Sequence, residues 1–139
     1  FPHEPDHVVA DKHGGANDAT NLALSCLECN RHKGSDIASI DPDTGALVAL
    51  FHPRSDVWTA HFQSAGDGRI VALTPTGRVT ATLLRFNAQA RVEVRRELAA
   101  LDRWPSAARS PSISEGRAIT RLLKPMRASD SSISPLMRL

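Results

Sequence analysis

The sequence predicts an α+β chain, and three observations carry that prediction. Residues 1–77 alternate short extended segments with turns built on Gly, Asp and Pro; residues 78–102 form one long helical region; and the end of the chain becomes rich in Ser and Pro. At 139 residues there is room for one ordinary domain and little more.

Taken in order, residues 5–10 ("PDHVVA") read as a short strand that runs into a loop at Gly14-Gly15, where φ > 0 suits glycine. An extended Asn21-Leu22-Ala23-Leu24 piece follows, then a knuckle at Cys26 and Cys29, then a short helix ending at Gly34. Arg31, His32 and Lys33 occupy its last turn, where cations favour the helix C-terminus. Residues 41–45 ("DPDTG") are a turn, and the apolar run behind them stops at His52-Pro53. Trp58 and Phe62, four apart, fit one helical turn against the core. Gly66-Asp67-Gly68 leads into a strand at residues 69–73, and "TPTG" (74–77) reads as a further turn. The helical region 78–102 follows, rich in Ala, Leu, Arg and Glu, with a break expected near Asn87. The last 35 residues hold eight Ser and four Pro, which predicts a disordered tail with one short helix near Ile119 to Leu123. The chain thus divides into residues 1–40, an α+β extension at 41–104, and a basic tail at 105–139.

Charge and composition exclude several classes. Up to Trp104 there are 11 Lys+Arg against 13 Asp+Glu; beyond it there are 6 against 2, so the basic balance belongs to the tail and says little about nucleic acid. No apolar run approaches the roughly 18–20 residues of a membrane helix, and no signal peptide opens the chain, so a cytosolic protein without a membrane partner is expected. The first residue is Phe rather than Met, which leads one to expect a fragment or a processed form. Two cysteines at C-x-x-C spacing exclude a disulfide scaffold; the pair reads as half of a zinc site or as a redox dithiol.

The chemistry-bearing residues come in the order Asp6-His7, Asn21, Cys26-x-x-Cys29-Asn30, Lys33. That series, in "EPDHVVADKHGG…NLALSCLECNRHKG", closely resembles the HNH endonuclease family over residues 4–34. The "TPTGR" region and the segments before it resemble more loosely the extension of a bacterial branch of the family. The resemblance implies a small ββα-metal motif, hydrolysis of DNA phosphodiester bonds to products with 5′-phosphate, and DNA as partner, with RNA left open.

Phosphodiester hydrolysis needs an attacking water, a base for its proton and positive charge on the departing oxygen. Neighbouring strand residues point to opposite faces, so Asp6 and His7 could straddle a scissile phosphate. Asp6 suits a hard ion such as Mg²⁺ or Mn²⁺, and His7 suits the general base. By resemblance, Asn30 is the helix residue of the motif and a second metal ligand, in an H-N-N variant; Asn21 is the middle Asn, expected to bond backbone across the loop and orient His7. Lys33 and Arg31 are candidates for DNA phosphate. His13, His32, His52 and His61 read as loop, surface or structural residues, and Glu4 as either a water-mediated aid to the metal or a solvated side chain.

Cys26 and Cys29 resemble one of the two C-x-x-C pairs that hold a structural zinc in many family members. The second pair would lie upstream of Asp6, so the site is incomplete in this chain, which by itself is expected to be poorly stable. His3 is a weak substitute ligand. The rival reading is a catalytically silent, zinc-knuckle-like module that binds nucleic acid or a partner. A redox role for the cysteines is weaker, because no thioredoxin-like βαβ pattern surrounds them.

Overall fold

A computed structural model describes residues 3–104; the tail expected at 105–139, with its short helix, lies outside these residues. The elements are β1 (His3–His7), a 3-10 turn (Asp11–His13), β2 (Leu22–Cys26), α1 (Leu27–Lys33), β3 (Ala38–Ile40), β4 (Leu47–Ala49), α2 (Trp58–His61), β5 (Phe62–Ser64), β6 (Ile70–Ala72), α3 (Pro75–Leu83) and α4 (Gln89–Ala100). Among the described residues the strands form three antiparallel pairs, β1 with β2, β3 with β4 and β5 with β6. The fold is therefore mixed α+β, as the sequence predicts, with β1, β2 and α1 making a ββα unit. The β3–β4 hairpin carries the chain from that unit into the extension.

Phe62 opens β5 rather than sharing a helical turn with Trp58, and three further elements differ from their sequence reading, each for a local reason. The strand expected at 5–10 stops at His7. Val8 and Val9 are β-branched and look like strand, but their partner is Asn21: its carbonyl accepts from the Val8 N–H at 2.8 Å, and its side-chain oxygen accepts from the Val9 N–H at 2.9 Å. An amide side chain here replaces the next rung of the ladder. The "TPTG" segment is the start of α3 rather than a turn, because Thr74 is its N-cap, accepting from the Gly77 N–H at 3.1 Å, and Pro75 occupies the first turn. The long helical region is two helices. Between α3 and α4 the chain passes through Arg85 at φ 52°, and Asn87 clips onto Ile70 with bonds of 2.9 and 2.8 Å to its N–H and carbonyl. The break expected near Asn87 is thus a linker that docks on β6.

The apolar core lies in the extension. Phe51, Trp58, Phe62, Ile70, Leu84, Phe86 and Trp104 are buried together, and Cys29 of α1 packs on their edge. Trp58 and Phe62 stack at 4.2 Å between ring centroids, while Phe51 meets both edge-on at 5.7 and 5.4 Å. Among the described residues the Phe and Trp rings are thus gathered in one place. Polar groups tie the surrounding elements to this core. Thr80 on α3 accepts from the Phe51 N–H at 2.8 Å, and Arg95 on α4, itself buried, donates to the carbonyls of Gly68 and Phe86. Asp41, with no exposed surface, receives both arms of the Arg78 guanidinium at 3.0 and 2.7 Å, locking the β3–β4 turn to α3. No helix among the described residues is long and apolar enough to cross a membrane.

Candidate functional site

Strand periodicity sorts the residues of β1. Glu4 and Asp6 pair in register with Ser25 and Ala23 on one face, while His3, Pro5 and His7 pair with Cys26, Leu24 and Leu22 on the other. Helix α1 crosses the first face and offers Asn30 and Lys33, three residues apart. Three helical residues advance about 4.5 Å and two strand residues about 6.7 Å, so each helix side chain meets its own carboxylate. Asn30 Nδ2 donates to Glu4 Oε1 at 2.7 Å, and Lys33 Nζ lies 3.4 Å from Asp6 Oδ1.

Lys33 is thereby turned inward. Its ammonium also donates to the His7 carbonyl at 2.6 Å and the Gly34 carbonyl at 3.3 Å, and its side chain is only 13% exposed. Of the two cations expected to face phosphate, Arg31 is exposed on α1 and Lys33 is spent on the end of β1. Asp6 is itself largely covered, with a cavity of about 280 Å³ beside it between the ββα unit and the extension, walled by Ala23, Leu50, Phe51 and Leu84. Burial raises the Asp6 carboxyl above the ordinary aspartate value, against the opposing pull of Lys33.

His7 points away from Asp6, and its Nε2 lies 3.2 Å from Asn17 Oδ1 in the loop. In the tautomer whose Nε2–H donates to that oxygen, Nδ1 is the nitrogen with the lone pair. The loop that delivers Asn17 is closed by Asn21, whose Nδ2 donates to the carbonyls of Val9 and Ala16, both at 2.8 Å. The two glycines have different tasks. Gly14 takes a left-handed conformation at φ 81°, whereas a Cβ on Gly15 would lie 1.8 Å from the Val9 carbonyl oxygen. From the extension, Arg54 donates to the Leu22 carbonyl at 2.8 Å and to that of Ala19, fixing the entry to β2.

Glu4, Asn17, Arg54 and Arg91 are contributors that sequence reasoning left ambiguous or missed. Glu4 had a signal, the two-residue spacing from Asp6 that places both on one strand face. Asn17, Arg54 and Arg91 had none, because their contacts with the ββα unit reach residues 10 or more positions away.

Glu4 and Asp6 lie on one face of β1, and Asn30 donates to Glu4 there; carboxylate and amide oxygens are the donors that Mg²⁺ or Mn²⁺ takes. A closed structural zinc site requires four ligands, and among the described residues no three His, Cys, Asp or Glu side chains converge to hold a metal. His3 stands opposite Cys26 in register, and its Nε2 is buried without a hydrogen-bond partner. Instead, the two sulfurs face Arg91 of α4, with Nη1 3.2 Å from Cys29 Sγ and Nη2 3.6 Å from Cys26 Sγ. Within the pair, Cys26 is held well below the ordinary thiol value by the side-chain hydrogen bond from Cys29, helped by the Cys29 backbone N–H and the Arg91 charge. Cys29 is pushed up, because it supplies that hydrogen bond and is partly buried.

No curated protein and no solved structure matches the chain. The HNH endonuclease family model does, over residues 2–36; that span opens just before β1 and closes just past α1, so the similarity to HNH endonucleases coincides with the ββα unit.

Proposed function

We propose that the ββα unit is a divalent-metal-dependent endonuclease that hydrolyses DNA phosphodiester bonds. The observation that carries this reading is the placement of Glu4 and Asp6 on one face of β1, with Asn30 of α1 bonded to Glu4 there and His7 on the other face. Asp6 and Asn30 are the metal ligands, and Glu4 turns the Asn30 amide by taking its N–H, which leaves the amide oxygen free. When bound, Mg²⁺ or Mn²⁺ supplies the positive charge that the phosphate and the departing oxygen require. His7 Nδ1 removes the proton of the attacking water, with Asn17 fixing the ring tautomer and Asn21 holding the loop from which Asn17 reaches it. Lys33 holds the carbonyl of His7 and the carboxylate of Asp6 at the strand end. Arg31 contacts the DNA backbone without reading sequence.

Nicking of supercoiled plasmid DNA in Mg²⁺ or Mn²⁺ tests this. The His7→Ala variant should lose roughly 100- to 10,000-fold in rate, the range of a positioned general base. Undiminished nicking by that variant removes His7 from the role of base. A second reading, a catalytically silent nucleic-acid- or partner-binding module, is favoured by one observation, the capture of Asp6 by Lys33 in a covered position. It predicts a folded protein that binds DNA or a partner and does not nick in either metal.

A further inference from the structure

The knuckle that precedes Asn30 needs something to hold it. Cys26 caps α1 through its sulfur, 3.4 Å from the Cys29 N–H, and Cys29 packs at the edge of the core. Arg91 approaches this turn from α4, 62 residues away in sequence from Cys29. Each part of its guanidinium is used: Nε donates to Glu28 Oε2 at 2.9 Å, Nη1 to Cys29 Sγ and to the Leu84 carbonyl at 3.0 Å, and Nη2 to Cys26 Sγ. The side chain is 12% exposed, so these contacts are made in a largely water-excluded place. A planar fork with fixed donor directions is well suited to grip two neighbouring acceptors. Among the described residues no third His, Cys, Asp or Glu side chain joins the two sulfurs to hold a metal.

We propose that Arg91 takes the structural part of zinc in this protein: the Cys26–Cys29 knuckle is clamped to α4 by a guanidinium and folds without a metal at the cysteines. The clamp sets the tilt of α1, and through it the placement of Asn30 and Lys33 against β1. The proposal concerns folding, so it stands or falls apart from the nuclease reading.

The test combines metal analysis with thermal unfolding of the full chain. The purified protein should contain far less than one zinc per chain, and dialysis against EDTA should leave its Tm unmoved. Arg91→Met should lower Tm by roughly 5–10 °C, with no recovery on adding zinc. If that variant does not fold, the wild-type chelation experiment still decides. A stoichiometric zinc whose removal lowers Tm overturns the proposal, and so does an Arg91→Met protein with unchanged Tm. A double-mutant cycle between Arg91→Met and the paired change Cys26→Ala, Cys29→Ala should be strongly non-additive; simple additivity also overturns it.

Discussion

At the scale of single residues, the site depends on amide side chains standing in for backbone. Asn21 makes three hydrogen bonds to the loop before it, one accepted from Val9 and two donated to Val9 and Ala16. Asn21→Ala leaves those backbone groups without a partner and should cost about 1–3 kcal/mol in chemical denaturation. It should also depress nicking more than it depresses stability, because the loop that brings Asn17 to His7 loosens first; equal losses in both would argue that Asn21 is structural only. The order Asp6-His7, Asn21, Asn30 was legible in the sequence because each residue sits within about 30 positions of the others, in a short unit whose strand and helix periods are themselves readable. Pairings inside the unit were less legible. Nothing in the spacing says that Asn30 meets Glu4 while Lys33 meets Asp6; that follows from the axial offset between α1 and β1.

At the scale of elements, boundaries were set by contacts that local propensity does not contain. Val8 and Val9 have strand chemistry and sit in a loop, because an asparagine captures their amides. Thr74 to Gly77 have turn chemistry and open a helix, because α3 has somewhere to pack: a Cβ on Gly77 would stand 2.4 Å from the His61 carbonyl oxygen, so the helix passes directly over that residue. The existence and type of β2, α1 and β6 were read correctly, since their apolar runs and flanking glycines agree with their tertiary surroundings. Gly15 offers the sharpest test of an element boundary. Gly15→Ala drives a methyl into the Val9 carbonyl and should destabilise by about 1–3 kcal/mol, seen as a lower denaturation midpoint. Gly14→Ala, at a site with open space but positive φ, should cost only about 1 kcal/mol. The reverse ranking would mean that the loop does not approach Val9 so closely.

At the scale of the whole molecule, the ββα unit borrows its core. The buried rings lie at residue 51 and beyond, and the unit reaches them through Cys29, through Arg54 on the Ala19 and Leu22 carbonyls, and through Arg91. The Asp41–Arg78 pair pins the hairpin that connects the two parts. Arg78 holds the Asp41 carboxyl down at about 2, below the roughly 3.9 of an unfolded aspartate. The sign follows: the stabilisation is complete above about pH 4 and is lost as pH falls toward 2. Thermal unfolding across that window should show a falling Tm, and Asp41→Asn should flatten that part of the decline while lowering Tm at neutral pH; a variant with the wild-type acid profile would exclude Asp41 as its source. The contact of Arg91 with the cysteine pair has a further consequence, for how such a motif can travel between proteins. A knuckle closed by a metal ion is a self-contained cassette, ready to be spliced wherever the ion is available. A knuckle closed by a side chain from a helix 62 residues downstream is not, and recombination that separates the two halves discards the closure. Inheritance should therefore keep this ββα unit and its α4 together, and a transplant of either one alone should arrive incomplete.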